Sequence, residues 1–371
     1  MNFTHTEERQ MLADMASRFV RERYTIDARH KAAASDEGYD GATFVEMAEL
    51  GLVGALFPEE AGGFGGAGHD IAVVFEALGS GLVVEPFLAT LLAGTCLADT
   101  GQAELMEEVV SGATRVTLAY TEPSSRYDLG HVTTKAVEAD GEWRLTGHKA
   151  VALNADTADK LVVTARISGD DHDGQGIGLF LVDAVAEGVE RRPYPTVDGY
   201  RMADVFLRDT PATQIAGQGQ ALAILERAVA RATLAVGAEA LGAIEVAIAL
   251  TLDYLKTRKQ FGVPIGRFQA LQHRMADMMI EREQIRSAVI NAAGHIDGDE
   301  RDFHISVLKN LVGRSGRMIA EEAIQMHGGI AMTWEYAVGH FSKRIVMIDH
   351  LFGDVDYHLE RVMRRSRKTA A

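Results

Sequence analysis

Apolar residues in the first part of the chain recur every three or four positions, the spacing of helices with one buried face. The first predicted helix carries an apolar stripe of Met11, Met15, Phe19 and Val20. Either Thr4 or Thr6 stands where a residue that caps a helix N-terminus is expected. Further helices are predicted at residues 43–50, 69–78 and 86–99. We therefore expect residues 1–112 to form an N-terminal α-domain.

The period of the pattern then shortens to the alternation that is typical of β-strands. Short alternating or apolar runs occupy residues 115–120, 132–139, 143–145, 160–165, 177–182 and 203–207. Turn signals such as Asp140-Gly141 and Asp173-Gly174 separate them. Residues 113–215 are therefore predicted to form a small antiparallel β-domain.

Long helical periods return in the last part of the chain, at residues 217–256, 269–296, 302–326 and from 334 onwards. Helices of this length bury their apolar faces by packing side by side, so residues 216–371 are predicted to form a four-helix bundle. The apolar stretch 228–252 contains Arg231, Glu239 and Glu245, and we interpret it as a buried core helix rather than a membrane span. The predicted fold class is α+β, mostly α.

Composition excludes several classes of function. A net charge of −16 argues against broad contact with nucleic acid or an anionic membrane. The first residues lack the basic and apolar order of a secretion signal, so a cytoplasmic location is expected. The single cysteine, Cys96, excludes an internal disulfide and disfavours a cysteine-based metal site.

Two short patterns suggest sites and are better explained without them. Residues 57–68 contain Gly-x-Gly-x-x-Gly, but no strand leads into the segment, so a flexible turn is expected rather than a dinucleotide site. His350, Asp354 and His358 have the spacing of helical metal ligands, but Gly353 interrupts the helix between them. We predict no metal site.

Two motifs carry the chemistry of diphosphate binding. In Arg258-Lys259-Gln260-Phe261-Gly262, the arginine offers a planar fork that matches phosphate oxygens. In Gln325-Met326-His327-Gly328-Gly329, the two glycines let main-chain donors approach an anion without a Cβ in the way. A solvated helix-end cation is the alternative for an isolated arginine, so the prediction depends on the whole group.

With these motifs, the order of Pro58-Glu59-Glu60-Ala61-Gly62-Gly63 and Thr121-Glu122-Pro123 upstream resembles the acyl-CoA dehydrogenase family over essentially the whole chain. The resemblance implies FAD as cofactor and an acyl-CoA thioester as substrate. It also implies that bundle residues reach the adenosine diphosphate half of a neighbouring subunit's FAD. These residues are Arg258, Gln260, Phe261, Phe268, Gln269, Gln325, Gly328 and Gly329.

The sequence departs from the family pattern at the flavin ring. The small residues that follow Thr-Glu-Pro in the family are replaced by Ser124-Ser125-Arg126-Tyr127-Asp128. A Trp and a Thr that contact the ring in the family are replaced by Val151 and Leu153. Loss of the hydroxyl would leave a polar atom of the flavin unpaired.

The sequence also lacks the family's catalytic carboxylate. The tetrad that matches the family's Tyr-Glu-Gly-Thr is Leu351-Phe352-Gly353-Asp354, which places Phe352 at the base position. The alternative position on the first bundle helix is Ala232. Asp349, Asp354 or Glu226 would substitute only if the local register were shifted.

These departures favour the subunit of a heterotetrameric α2β2 acyl-CoA dehydrogenase that lacks the base and lends its bundle to a catalytic paralogue. An electron-transfer flavoprotein is then the expected electron acceptor, and heteromeric relatives often act on bulky thioesters such as those of steroid side chains. Two alternatives stay open. One is a homotetrameric dehydrogenase with an unconventional base, and the other is a non-enzymatic interaction protein that kept the fold.

Overall fold

The computed structural model describes the backbone of residues 5–370 and side chains as far as Arg367, so Thr4 lies outside the described residues. Eleven α-helices occur in this part of the chain: α1 Glu7–Arg23, α2 Ile26–Ala33, α3 Gly41–Glu49, α4 Gly68–Gly81, α5 Phe87–Asp99, α6 Ala103–Val110, α7 Ala221–Thr257, α8 Gln269–His295, α9 Arg301–His327, α10 Val338–Asp349 and α11 Val355–Ala370. The strands are β1 Val116–Ala119, β2 Lys135–Ala139, β3 Glu142–Leu153, β4 Lys160–Arg166, β5 Ile177–Asp183, β6 Val189–Pro195, β7 Arg201–Ala216, β8 Lys259–Gln260 and β9 Val263–Pro264. The predicted class, α+β and mostly α, is confirmed.

The described residues divide into two compact units, with boundaries inside α2 and α7. One unit contains residues up to 31, residues 68–83 and the chain from 233 onwards, and the other contains residues 32–67 and 84–232. Residues of the predicted N-terminal domain 1–112 are therefore shared between the two units. The three domain boundaries read from the sequence stay a prediction.

The first unit is helical and is built around α9, which packs against α8, α10 and α11. Helices α4 and α7 cross at two glycines, where a Cβ on Gly79 would strike the carbonyl of Glu239 and a Cβ on Gly242 would strike that of Glu76. Glu239 and Arg344 form a buried pair of parallel hydrogen bonds of 2.6 and 2.7 Å between α7 and α10. The glycines thus permit the close approach of α4 and α7, and the ion pair links α7 to α10.

The first helix confirms one sequence prediction and corrects another. The Thr6 hydroxyl accepts the backbone N–H of Arg9, so Thr6 caps α1 as expected. Met11, however, is 71% exposed, and the buried residues of α1 are Leu12, Ala16, Phe19 and Val20. The predicted stripe was one position out of phase at its N-terminal end.

The second unit contains a seven-stranded sheet that is mostly antiparallel. Strand β4 pairs with β5, β5 with β7, β7 with β3 and β3 with β2, and β2 returns to β4 through Lys135 and Arg166. The β1–β4 pair is parallel, and β6, which the sequence pattern did not reveal, pairs with β7. The core between the strands is formed by Leu145, Leu161, Val163, Phe180, Val182, Val205 and Leu207.

The glycine-rich loop at residues 57–68 is pinned rather than flexible, contrary to the sequence prediction. A Cβ on Gly63 would strike the carbonyls of Phe57 and Gly54, so the backbone is packed too closely for any side chain. The buried guanidinium of Arg231 donates to the carbonyls of Leu56 and Gly66 at 3.2 and 2.7 Å. The arginine that interrupts the apolar pattern of α7 therefore holds this loop.

Helix α7 is long and apolar enough, by length and composition alone, to cross a membrane. In the structure 78% of its most apolar window is buried by the rest of the protein. The prediction of a buried core helix is confirmed.

Candidate functional site

The Arg258 motif lies directly after the C-terminus of α7. The backbone N–H of Arg258 still bonds to the Tyr254 carbonyl at 2.8 Å, and the chain then turns back through the β8–β9 ribbon. Phe261 and Gly262 form its tip with φ values of 53° and 79°, so both central residues are left-handed, as in the preferred two-residue hairpin turn. Glycine adopts this conformation without strain, whereas Phe261 does not.

Side chains of this hairpin face solvent. Phe261 is 90% exposed, and its ring meets the partly exposed Phe268 ring edge-on, with 6.2 Å between centroids. Arg258, Gln260 and Gln269 are also exposed. No side chain within residues 5–367 forms an ion pair or hydrogen bond with the Arg258 guanidinium. A strained, solvent-facing aromatic ring beside an unengaged arginine is expected where a binding partner completes the surface.

The second motif lies at the C-terminus of α9. Gln325 is exposed on the last turn, and Gly328 ends the helix with φ 69° and ψ −149°, a conformation open essentially to glycine alone. A Cβ added to Gly328 or Gly329 would meet nothing within 4 Å. Packing inside this chain therefore does not require a glycine at position 329. The absence of a side chain there leaves the main chain open to a ligand.

The fold brings the two motifs to the same end of the helical unit. The Tyr254 ring, one turn before Arg258, lies 4.6 Å from the His327 ring, which immediately precedes Gly328. Tyr336 packs against both rings, with centroid distances of 6.3 and 5.1 Å. A forked cation, exposed amides and uncovered glycine backbone at one end of the unit fit the diphosphate of a nucleotide cofactor.

The strand expected to contact a flavin ring is a poor match for one. Val151 lies at a bulge in β3 with φ 57° and is 46% exposed, which is a strained conformation for a β-branched residue. Leu153, which replaces the hydroxyl-bearing residue, is only 8% exposed and offers no hydrogen-bond donor. These two side chains do not fit the polar ring atoms of a flavin.

The turn at residues 123–127 is likewise organised by its own contacts. The Ser125 hydroxyl accepts the backbone N–H of Glu122 and donates to the Glu122 carbonyl. Arg126 has φ 47° and is exposed, with its guanidinium 5.8 Å from the centre of the Tyr127 ring. The bulky side chains that the sequence showed here therefore belong to an exposed turn.

Glu122 of the Thr-Glu-Pro motif has a structural role within the sheet. It pairs with Lys149 at 2.6 Å, both side chains are fully buried, and it accepts the backbone N–H groups of Thr133 and Thr134. Burial opposes its charge, but the Lys149 ammonium and these hydrogen bonds prevail and lower the pKa of Glu122 to about 2. Burial in turn lowers the pKa of Lys149 to about 8, against the attraction of Glu122. Both groups are therefore charged at neutral pH.

The structure shows no carboxylate at either position where the family would place its base. Phe352 lies in the loop between α10 and α11 with φ 59°, and Ala232 is fully buried in α7. Of the weaker candidates, Asp354 accepts the backbone N–H of Tyr357 at 2.9 Å and so caps α11. Asp349 lies 4.0 Å from the buried Lys309 ammonium, and Glu226 is on an exposed face of α7.

Lys309 and His358 hold the Phe352 loop, a role that the sequence did not reveal for either residue. The Lys309 ammonium donates to the carbonyls of Asp349 and Gly353 at 2.8 and 2.6 Å, and burial lowers the pKa of Lys309 to about 8. His358 donates from Nε2 to the Phe352 carbonyl at 3.1 Å. The sequence signals for this clamp are a lysine in the apolar pattern of α9 and the helical spacing of His358.

The histidine spacing in the same region is explained by this clamp. His358 is buried, and its Nε2 is committed to Phe352. Within the described part of the chain, no three His, Cys, Asp or Glu side chains converge as metal ligands do.

Comparisons with known proteins extend over the same chain. "Probable acyl-CoA dehydrogenase YngJ" of Bacillus subtilis is 32% identical over 91% of this chain and 92% of its own length. "Acyl-CoA dehydrogenase IpdE2" of Mycolicibacterium smegmatis is 30% identical over 96% of this chain and 98% of its own. The solved ChsE4-ChsE5 complex from Mycobacterium tuberculosis matches with a TM-score of 0.89, at 25% identity and with full coverage of both chains.

Three family models match in chain order. The acyl-CoA dehydrogenase N-terminal domain matches residues 6–116, the middle domain residues 117–210 and the C-terminal domain residues 217–366. Together with relatives that align from end to end, these matches show that the chain belongs to the acyl-CoA dehydrogenase family.

Proposed function

We propose that this chain is the non-catalytic subunit of a heteromeric acyl-CoA dehydrogenase, and that it lends FAD diphosphate-binding residues to a partner that carries the base. The observation that carries the proposal is a contrast within this chain between the residues for the FAD diphosphate and the residues at the positions of the flavin ring and the base. The Arg258 and Gly328-Gly329 patch is complete and exposed, whereas Phe352, Val151 and Leu153 occupy the positions of the base and the ring contacts.

FAD is the cofactor of this family and accepts the hydride in its dehydrogenations. This chain's part in such a reaction would be to position the cofactor. Arg258 would neutralise phosphate charge through paired hydrogen bonds, and the exposed backbone at Gly328 and Gly329 would add main-chain donors. Phe261, Phe268, Gln260, Gln269 and Gln325 would pack around the same half of the nucleotide. Proton removal from the thioester requires an acceptor within about 3 Å, and we assign that acceptor to the partner.

The partner in this proposal is a paralogous acyl-CoA dehydrogenase chain, arranged as α2β2, and the similar solved structure of the ChsE4-ChsE5 complex, which pairs two different chains, supports such an assembly. The substrate is an acyl-CoA thioester, and an electron-transfer flavoprotein takes up the electrons. We place this reaction in the cytoplasm.

Co-expression with candidate paralogues, followed by affinity purification through this chain, tests the proposal. We expect a paralogue to co-purify, the complex to hold about one FAD per heterodimer, and acyl-CoA-dependent reduction of an electron acceptor to require both chains. Expression of this chain alone as a flavin-saturated, active homotetramer would refute the proposal. In that case Asp349→Asn and Asp354→Asn, made separately, identify the unconventional base.

The same co-expression experiment, repeated with Arg258→Ala, distinguishes a subunit that contributes to FAD binding from a protein that kept the fold without a role in the chemistry. A complex that assembles with a paralogue but retains its flavin equally well without Arg258 would make this chain a structural partner only. The proposed role requires flavin retention to depend on that guanidinium.

A further inference from the structure

A cluster of three aromatic rings fastens the segment that follows Gly328-Gly329 to the N-terminal part of the chain. His30, at the end of α2, stacks on Trp334 with 5.1 Å between ring centroids, and it meets His340 of α10 edge-on at 4.4 Å. Trp334 and His340 are themselves perpendicular at 4.7 Å. All three residues belong to the helical unit. This contact between two imidazoles and one indole is one attachment of residues 328–337, beside the packing of Tyr336 on Tyr254 and His327.

Hydrogen bonding shows which protonation state this arrangement suits. The Nε2 atom of His340 lies 2.8 Å from the Trp334 carbonyl oxygen. Because a carbonyl can only accept, Nε2 carries the proton of the neutral ring and Nδ1 is unprotonated. The Nε2 atom of His30 is buried and has no hydrogen-bond partner among the described residues. A second proton would turn each ring into a cation, and the buried Nε2 of His30 has no acceptor for it among the described residues.

The charged groups around the rings oppose such a cation. Arg29 lies beside His30 on α2, and Lys343 of α10 lies 5.1 Å from the centre of the Trp334 ring. Asp27 acts in the opposite direction and favours the charged form of His30. Burial, then His340 and Arg29, lower the pKa of His30, and burial with Arg29 and Lys343 lowers the pKa of His340 against the hydrogen bond to Trp334.

We propose that His30, Trp334 and His340 form a pH-sensitive clasp, which is closed while both imidazoles are neutral and opens when they take up a proton. Two imidazolium rings with centroids 4.4 Å apart, beside Arg29 and Lys343, repel one another. Opening releases Trp334 and loosens residues 328–337, which begin with the two glycines of the diphosphate patch and stay attached through Tyr336. The clasp itself is independent of the proposed function, but its consequence for the cofactor, weaker retention of FAD at acid pH, rests on that function.

Trp334 reports on the clasp directly because the chain contains only one other tryptophan, Trp143. In a Trp143→Phe background, we expect Trp334 fluorescence to show one transition between about pH 8 and pH 5, with a midpoint below about 6.5. His30→Phe, which keeps a ring without a titrating nitrogen, should shift or shrink the transition. The double variant His30→Phe/His340→Gln should abolish it.

Amide hydrogen exchange over residues 328–337, compared between the background protein and the double variant at each pH, measures release of the segment. We expect protection to fall by about tenfold or more across the fluorescence transition in the background protein only. The same transition in the double variant, an unchanging Trp334 signal, or coincident loss of far-UV circular dichroism would each overturn the clasp. These measurements use no flavin, so their outcome is separate from that of the co-purification experiment.

Discussion

Among single residues, Arg258 is the one on which the proposed binding of FAD depends most. Its guanidinium is exposed and unengaged within the described residues, so its removal should leave the fold intact. Arg258→Ala in the assembled enzyme should weaken FAD retention by about 1.5–3 kcal/mol, or about ten- to a hundredfold. Equilibrium dialysis of the flavin measures this, with Arg317→Ala as the control because Arg317 pairs with Glu321 on an exposed face of α9. Equal flavin affinity in both variants would show that the clamp assignment is wrong.

Substitutions of the two adjacent glycines should have different effects, because only Gly328 has a backbone conformation that excludes a side chain. Gly328→Ala should destabilise the chain by about 1–3 kcal/mol, since its φ of 69° with ψ of −149° excludes a side chain. Gly329→Ala should change stability by less than about 0.5 kcal/mol, because the added methyl group meets open space. It should nevertheless weaken flavin retention. Denaturant unfolding and flavin titration of the two variants separate these effects, and normal flavin retention in Gly329→Ala would contradict the proposed approach of the diphosphate.

At the scale of elements, the α10–α11 loop depends on His358. Burial and the nearby Lys309 charge lower the pKa of His358 to about 3, so the folded chain binds fewer protons than the unfolded chain below about pH 6.5. The stability due to neutral His358 is therefore complete above pH 6.5 and is lost as the pH falls towards 3. His358→Gln should flatten this part of the profile of unfolding free energy against pH. Parallel profiles for the two proteins would show that His358 does not titrate on unfolding.

The buried ion pair of Lys149 and Glu122 in the sheet can be tested separately. Lys149→Met leaves the Glu122 carboxylate buried without its cation and should destabilise the sheet-containing unit by about 3–5 kcal/mol. The double variant Lys149→Met/Glu122→Leu should recover much of this loss, because no buried charge then remains unpaired. Denaturant unfolding monitored at Trp143, which packs against this sheet's core, measures both. A double variant less stable than the single variant would show that the ion pair itself stabilises the sheet, and that the loss in Lys149→Met is not due mainly to the unpaired Glu122 carboxylate.

The sequence predicted the longest elements best because they repeat one period over many residues. Helices α7, α8 and α9 were placed within a few residues of their observed ends, whereas α2, α6 and β6 were missed. The missed elements are short, and β6 has an exposed Pro193 and no buried residue, so its pattern lacks a core face. The helix expected from residue 334 onwards begins at Val338 and is broken between Asp349 and Val355.

The candidate site was predictable where single residues carry the chemistry, and it was not where chain segments meet. Arg258 and Gly328-Gly329 stand out as motifs, and the structure places both at one end of the helical unit, while their role in binding FAD stays a prediction. The Lys309 clamp joins residues about 40 positions apart, and the His30 contact with Trp334 joins residues about 300 positions apart. No periodicity along a chain records such pairs, because they arise only when helices pack.

At the scale of the whole molecule, the central claim is that the nucleotide end of FAD contacts this chain while its ring lies in another. Structure determination of the flavin-loaded complex of this chain with its co-purified paralogue tests this most directly. We predict density for the diphosphate against Arg258 and the Gly328-Gly329 backbone, with the isoalloxazine ring and a carboxylate base in the partner chain. A flavin ring stacked on this chain's own β3 near Val151, with an acidic side chain of this chain above it, would contradict the account.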